Sequence, residues 1–470
     1  MTAVRSPKQR RTLAWFAVAA AVCFAAGCCS RSAPGDVYRD AAVRLQEAGL
    51  RSEGAIELLN RIVAVGPRLT GSPQADEAAA VCVAMMEELG FDRVRTEPVT
   101  VRKWVRRAER ASVIGADGGL IKELNVAALG GSVATPPEGL EAGLVEVRSL
   151  QELERLGEEA RGKVVFFNRP MDRAMTDPFA AYGAAADQRV RGASAAAAKG
   201  GLAVLVRSLT FRQDDHPHTG MLAYDERSGR VPAAAVSTND ADFLSGLIKS
   251  GRPVRVRLSL DCEDLGPVVS ANVLGELTGS ELPGEVVLVG GHLDSWDLGQ
   301  GAHDDAAGCA AGIEALRLIK ACGLKPKRTI RAVMFMDEEF GGTGGRCYAA
   351  APERKGEKHL LAMESDRGGF LPLGLAVGGG DRRLLAMVRR FEGLFRPLGV
   401  LTITGGGGGV DVGPLVAAGA RPASVITNSQ PYFDVHHSAL DVPAAVHPRE
   451  LELQAVIMAL LAYIISMEGA

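Results

Sequence analysis

From Val286 to Glu339 the chain alternates apolar runs with short polar clusters, and each cluster falls where a run ends. Val286–Val289 leads into Gly290-Gly291-His292-Leu293-Asp294, and Ile330–Met336 leads into Asp337-Glu338-Glu339. Between them, Gly301-Ala302-His303-Asp304-Asp305 precedes apolar residues at helical spacing from Ala306 to Lys320. Strand, helix and strand in that order predict an α/β architecture, with ligands at the carboxyl ends of the strands. A histidine and two acidic pairs at such ends offer hard oxygen ligands, an imidazole and a spare carboxylate, the needs of a hydrolytic metal site.

Each cluster has a plainer use taken alone. His292-Leu293-Asp294 can be a polar turn, and Asp304 with Asp305 can cap the helix that follows. Glu338 and Glu339 shift the balance, because further acids at a neighbouring strand end repel the first pair unless a cation neutralises them. Glu364-Ser365-Asp366, after the run His359–Met363, and His436-His437-Ser438 raise the donor count to what two metals need. In an extended segment the side chains of His292 and Asp294 share a side, so Asp294 is placed to accept a hydrogen bond from the ring nitrogen of His292 that faces away from metal.

At 470 residues and 47% hydrophobic, the chain can fill two ordinary cores. A net charge of -3 with mixed signs, and no basic cluster interleaved with aromatics, argue against nucleic acid as a partner. Arg5, Lys8, Arg10 and Arg11 precede the apolar run Leu13–Ala26, so residues 1–27 read as a secretory signal. Small residues before Cys28 resemble a lipobox, although Ala25 stands where leucine is usual. Export is therefore expected, with a lipid on Cys28 as the sole membrane link, facing the periplasm or cell exterior; an ordinary cleaved signal would leave a secreted protein. Residues 28–36 read as a polar tether. Cys82, Cys262, Cys309, Cys322 and Cys347 lack matched spacing, so neither a disulfide framework nor a sulfur-ligated zinc is expected.

Helical periodicity marks 38–48, 52–65 and 74–89, and alternation marks strands at 94–102, 110–114 and 125–129. From about Ser132 to Glu263 the texture changes to a compact set of strands and helices that reads as an insertion. The apolar run Ala455–Ile465 in the last helix is too short and too flanked by charge to span a bilayer, so core packing is expected. Gly405–Gly409 can let backbone approach a substrate, with Gly407 and Asp411 as candidate contacts. In the insertion, His218 is a candidate for substrate contact across the domain gap.

The run Gly-Gly-His-Leu-Asp-Ser-Trp-Asp-Leu-Gly-Gln-Gly-Ala-His-Asp-Asp, followed by Glu-Glu, Glu-Ser-Asp and His-His-Ser, resembles the di-zinc exopeptidases of the bacterial-aminopeptidase and glutamate-carboxypeptidase group, and within them the carboxypeptidase Q branch. Gly66–Ser72, His218-Thr219-Gly220 and Lys325–Thr329 carry the likeness along most of the chain. It implies a three-layer zinc-exopeptidase fold with a mixed, mainly parallel central sheet. The peptidase domain would comprise 37–131 and 264–470, with a protease-associated domain inserted at 132–263. It also implies two zinc ions, one on His292, Asp304 and Asp366 and the other on Asp304, Glu339 and His437, with His436 as the alternative to His437. Glu338 would then act as base toward a water between the metals, Asp294, as the partner of His292, is the other candidate catalytic residue, and the peptide from Asp304 to Asp305 would be cis. His303 departs from the pattern; the alternatives are that it perturbs metal affinity or that it faces solvent, and the second is expected. The implied substrates are short peptides or dipeptides, and a homodimer is compatible. The competing readings are an aminopeptidase of the same group, a binding protein like the transferrin receptor, and a one-zinc cyclase; the full ligand set disfavours the last two.

Overall fold

A computed structural model describes residues 36–470. The expected signal, Cys28 and the tether up to residue 35 lie outside the described residues.

Three helices open the described chain, Asp36–Leu50, Gly54–Val63 and Pro73–Glu88. The third starts where the sequence supplies both a cap and a stiff first turn: Ser72 Oγ accepts the Ala75 N–H at 3.1 Å and Pro73 follows directly. Its Ala75, Ala78, Cys82 and Met85 are buried against the central sheet. The helices Ala307–Ala321 and Pro448–Glu468 complete this layer. Pro448–Glu468 has the length and hydropathy of a membrane span, yet 83% of its apolar window is buried inside the fold. It is a core helix, as expected.

The larger part of the sheet runs in the order Thr402–Gly406, Pro372–Gly378, Arg421–Thr427, Lys358–Glu364, Leu282–His292, Arg328–Phe335, Arg255–Leu277. Leu282–His292 lies between two parallel neighbours, and Arg255–Leu277 closes that side antiparallel. The sheet is thus mixed and mainly parallel. Residues alternate between its faces: Val287 and Val289 meet the large helical layer, whereas Leu288, Val333 and Phe335 meet Tyr348 and Leu415 of the thinner layer opposite. Strands buried on both faces explain the unbroken apolar runs.

Asp92–Ile114 and Arg255–Leu277 pair antiparallel along their lengths and carry the chain from this sheet into the insertion. Val273–Leu277 pairs with Arg328–Phe335, while the other end of the same strand, Arg255–Leu258, pairs with Leu140–Val147. Beyond it lie Val164–Phe167, Ala203–Arg207 and Ala233–Val236 in parallel, edged by antiparallel Val126–Ala128. Two expectations are corrected here. The separate strands at 94–102 and 110–114 are one, because bulges at Arg102/Trp104 and Arg106/Glu109 break its alternation. The boundaries at 131/132 and 263/264 do not follow the sheet, since Val126–Ala128 pairs with the insertion and the strand Arg255–Leu277 crosses residue 263 without a stop.

Candidate active site

Parallel register brings the polar clusters together. Phe335 pairs with His292 and Glu364 with Gly290, so the residues just past each strand emerge at one edge of the sheet. The glycines are steric requirements there: a Cβ on Gly291 would lie 2.1 Å from the Asp305 carboxylate, and one on Gly308 2.4 Å from it. Buried Asp305 accepts N–H groups from His292 at 3.1 Å and Gly308 at 2.9 Å, tying the bridging loop to the strand end. The Asp304–Asp305 peptide is cis.

Asp304 stands at the centre. Its Oδ1 is 3.2 Å from His292 Nε2, and its Oδ2 is 3.3 Å from His437 Nε2 and 3.7 Å from His436 Nε2. Asp366 Oδ1 lies 3.7 Å from His292 Nε2, and Glu339 Oε2 lies 3.1 Å from His437 Nε2. Two donor groups thus share Asp304: His292 with Asp366 on one side, and the paired histidines with Glu339 on the other. Asp304 Oδ2, Glu339 Oε1 and Asp366 Oδ1 are buried with no hydrogen-bond partner among the described residues. A void of about 10 Å³ opens between Asp304, Glu339 and His437, close to the room one water or ion needs. Acids left buried without donors, facing imidazole nitrogens across such a void, fit divalent cations.

The protonation pattern reflects that missing charge. Burial opposes an imidazolium at His292, yet Asp304 and Asp366 hold its pKa well above the ordinary value. Burial likewise opposes the charge on Asp304, but His292 and His437 hold it well below the carboxylate range. Burial, with the Asp366 and Glu339 carboxylates, pushes Glu338 well up. Cations in place of the histidine protons would draw Glu338 back toward its charged form. Half-buried Glu338 faces a cavity shared with Asp304 and Asp366 and is not within either donor group.

Asp294 differs from expectation. The Nδ1–H of His292 donates to the Asp294 backbone carbonyl at 3.0 Å, while the carboxylate is 3.8 Å away from that nitrogen. The carboxylate instead accepts N–H groups from Asp337, Glu338 and Glu339 and the hydroxyl of Thr70 at 2.5 Å. It is a positioning residue for the Glu338-Glu339 turn, in which Asp337 sits at φ 76°. Buried Arg68 fixes the adjoining loops by donating to the carbonyls of Leu293, Gln300 and Gly301. Asp441 accepts the N–H groups of His303 and Asp304 and so holds the bridging loop from the other side.

The insertion reaches into this site through backbone. Thr219 N–H donates to the His437 carbonyl at 3.0 Å, and His437 Nδ1–H donates to the Thr219 carbonyl at 3.3 Å. This clasp holds His437 at φ 59°, a left-handed conformation that costs a histidine ~1–3 kcal/mol, with Nε2 aimed at Asp304 and Glu339. His218, a candidate substrate contact, is buried instead, donating Nδ1–H to the His436 carbonyl at 2.7 Å, and burial holds its pKa down at about 4. His303 does not face solvent: it stacks on Phe370 with centroids 4.0 Å apart, accepts the Gly369 N–H and donates to the Ala445 carbonyl. Gly407 and Asp411 do not line the cavity at the site. Gly407 is exposed, with Ala423 and the Ala376 carbonyl close beneath it, and fully buried Asp411 lies near Glu364. Within the glycine run, Gly409 is a steric requirement, since a Cβ there would meet Glu364 at 2.0 Å.

The profile of peptidase family M28 matches residues 272–462. Carboxypeptidase Q of Bos taurus is 35% identical over 433 residues, covering 92% of this chain and 89% of that protein, and the Homo sapiens protein matches at the same identity and coverage. The chain belongs to peptidase family M28. It is accordingly a hydrolase of the metallo-exopeptidase class. The crystal structure of a peptidase M28 precursor from Shewanella amazonensis superposes with a TM-score of 0.88 at 36% identity, covering 93% of this chain and 98% of that one. A zinc aminopeptidase from Bacillus subtilis shares the fold at TM-score 0.64 and 19% identity, over 89% of this chain and 96% of that one.

Around this M28 centre lies a cavity of about 380 Å³ whose wall sequence reasoning did not find. Phe179, Tyr182 and Arg189 come from the insertion, and Tyr432 and Phe433 from the peptidase part. Tyr182 stacks on Phe433 at 4.7 Å and meets His436 edge-on at 5.2 Å, and His436 stacks on His437 at 3.5 Å. The sequence signal for this wall is faint: aromatic residues in an Ala-rich helical stretch read as ordinary core.

Proposed function

We propose that the chain is a two-zinc exopeptidase of the carboxypeptidase Q type, acting on short peptides or dipeptides. One observation carries the reading: Asp304 is shared between two donor groups, its carboxylate and those of Glu339 and Asp366 each keep one buried oxygen with no hydrogen-bond partner among the described residues, and Glu338 stands beside them uncommitted. His292, Asp304 and Asp366 would hold one zinc, and Asp304, Glu339 and His437 the other. When bound, the ions would polarise the scissile carbonyl and acidify a water. Glu338 takes the proton from the attacking water and returns it to the leaving amine. Asp294 keeps Glu338 and Glu339 in register through the turn it holds, and Trp296 Nε1–H fixes Glu339 by donating to its Oε2 at 2.5 Å. The aromatic wall excludes water from one side of the bound peptide.

In this reading the insertion is a protease-associated domain, residues 1–27 direct export, and Cys28 carries the lipid anchor; pairing of two copies is compatible with it. Assay of free and blocked dipeptides with zinc supplied tests the function. Hydrolysis of unblocked dipeptides, lost on chelation and restored by zinc, is expected; zinc-loaded protein that cleaves neither would overturn it.

A further inference from the structure

Among the described residues, Arg189 is a buried cation without a counter-ion. Its residue is 8% exposed, its Nε is buried with no hydrogen-bond partner, and among the described residues its one hydrogen-bond acceptor is the Thr219 carbonyl, 3.4 Å from Nη1. No carboxylate among the described residues pairs with it. Desolvating a guanidinium without a partner is costly, and the fold goes out of its way to keep it there. Gly220 leaves its Cβ position to the guanidinium, which a methyl group would meet at 2.4 Å, and Tyr182 offers its ring face 5.2 Å from Cζ. The cavity Arg189 lines is the one that reaches Asp304, Glu338 and Asp366.

The four carboxylates on that cavity's wall, Asp304, Glu338, Glu339 and Asp366, are all committed to metal or to proton transfer in the reading above, which leaves none to greet a free amine. The spare group is the arginine. We propose that Arg189, delivered by the insertion, binds the free α-carboxylate of a short peptide, and that the adjoining rings of Tyr182 and Phe433 receive its C-terminal side chain. The planar fork of a guanidinium suits a carboxylate, and the pair forms where water is already excluded. This rests on the hydrolytic reading, and it makes Arg189 a specificity-determining residue: the insertion selects the end of the peptide that is read. Arg367, stacked over Phe179 at 4.6 Å, is the nearby alternative cation, but it is exposed and does not line the cavity.

The test compares Leu-Phe with Leu-Phe amide in zinc-loaded wild type, Arg189→Met, Arg189→Lys and Arg367→Met. Wild type is expected to prefer the free acid by about 100-fold in kcat/KM, the worth of a hydrogen-bonded charge pair. In Arg189→Met the preference should fall to near unity with zinc content retained, in Arg189→Lys it should be intermediate, and in Arg367→Met it should persist. Equal losses on both substrates, loss of zinc in Arg189→Met, or collapse of the preference in Arg367→Met instead would overturn the proposal. Calorimetry on zinc-loaded Glu338→Gln with L-phenylalanine and its amide reads the same preference without turnover. Equal affinities there overturn the role of Arg189 even if peptide hydrolysis is real, whereas tighter binding of the acid by a protein that hydrolyses nothing would fault the hydrolytic reading alone.

Discussion

The floor of the site and its wall are built by opposite means. The floor is charge dense: Asp304, Glu339 and Asp366 with His292 and His437, placed by strand ends and by turns pinned from below through Asp294, Arg68 and Asp441. The wall is mostly aromatic, carries one cation, and is set by helix and loop packing between the insertion and the peptidase part. The two meet at the clasp between Thr219 and His437. The difference teaches that chemistry and selectivity are held by separate parts of the chain, so substitutions in each should fail differently. Floor variants should lose metal or turnover, and wall variants should lose discrimination between substrates.

The largest effect belongs to Asp304, the residue both donor groups share. Asp304→Asn is expected to lower zinc at both positions and turnover by on the order of 10⁴ or more, read by elemental analysis and steady-state kinetics. Full zinc occupancy in this variant would break the comparison at its base. Glu338→Gln should keep its zinc and lose about 10²–10⁴-fold in kcat with KM little changed, because a proton acceptor is removed and no ligand is touched. A variant that instead loses metal would move Glu338 into the ligand set.

A smaller effect tests the seam between floor and wall. Trp296 donates its indole N–H to Glu339 Oε2 and packs beside Phe340 at 5.0 Å and His437 at 5.6 Å. Trp296→Phe preserves the packing and removes the donor, so zinc affinity should fall about 10–100-fold, as other changes beside metal ligands do. Competition with a chelator of known affinity measures it. An unchanged affinity would mean that Glu339 is oriented by His437 alone.

Legibility in the sequence follows the same division. His292, Asp304, Glu338, Glu339 and Asp366 stand directly after apolar runs or in a glycine-bearing loop, and parallel pairing then guarantees that they meet; local pattern suffices. The role of Asp294 was misread because alternation puts its side chain beside His292 but says nothing of the Asp337–Glu339 amides arriving from the next strand. Thr219 acts through its main chain, which no side-chain pattern encodes. Arg189 lies in an Ala-rich helix, where an arginine ordinarily faces water, and its burial is created by Tyr182 and Gly220 arriving from elsewhere in the insertion. The strands Pro372–Gly378, Thr402–Gly406 and Arg421–Thr427 carry no clear sequence signal, their short runs interrupted by glycine and threonine in the first two and by Pro422 and Ser424 in the third.

The smallest expected effect asks whether buried acids elsewhere in the peptidase part are neutralised by protons rather than by the metal proposed for the floor. Glu452, on the core helix, is buried beside Glu314 and accepts the Ala55 N–H at 3.1 Å. Burial and the Glu314 carboxylate push its pKa from the usual 4.5 to about 9. Here a proton, not a metal, removes the charge. Between pH 4.5 and about 9 the folded chain holds a proton that the unfolded chain has released, so the contribution of Glu452 to stability is greatest at low pH and declines as pH rises. Glu452→Gln keeps a neutral acceptor for Ala55 and removes that slope. Its melting temperature should match wild type near pH 5 and exceed it by a margin that widens as pH rises toward 8. Parallel pH profiles for the two proteins would show that Glu452 is ionised in the fold, shielded by the Arg317 that pairs with Glu314, and the contrast between metal-neutralised floor and proton-neutralised core would be lost.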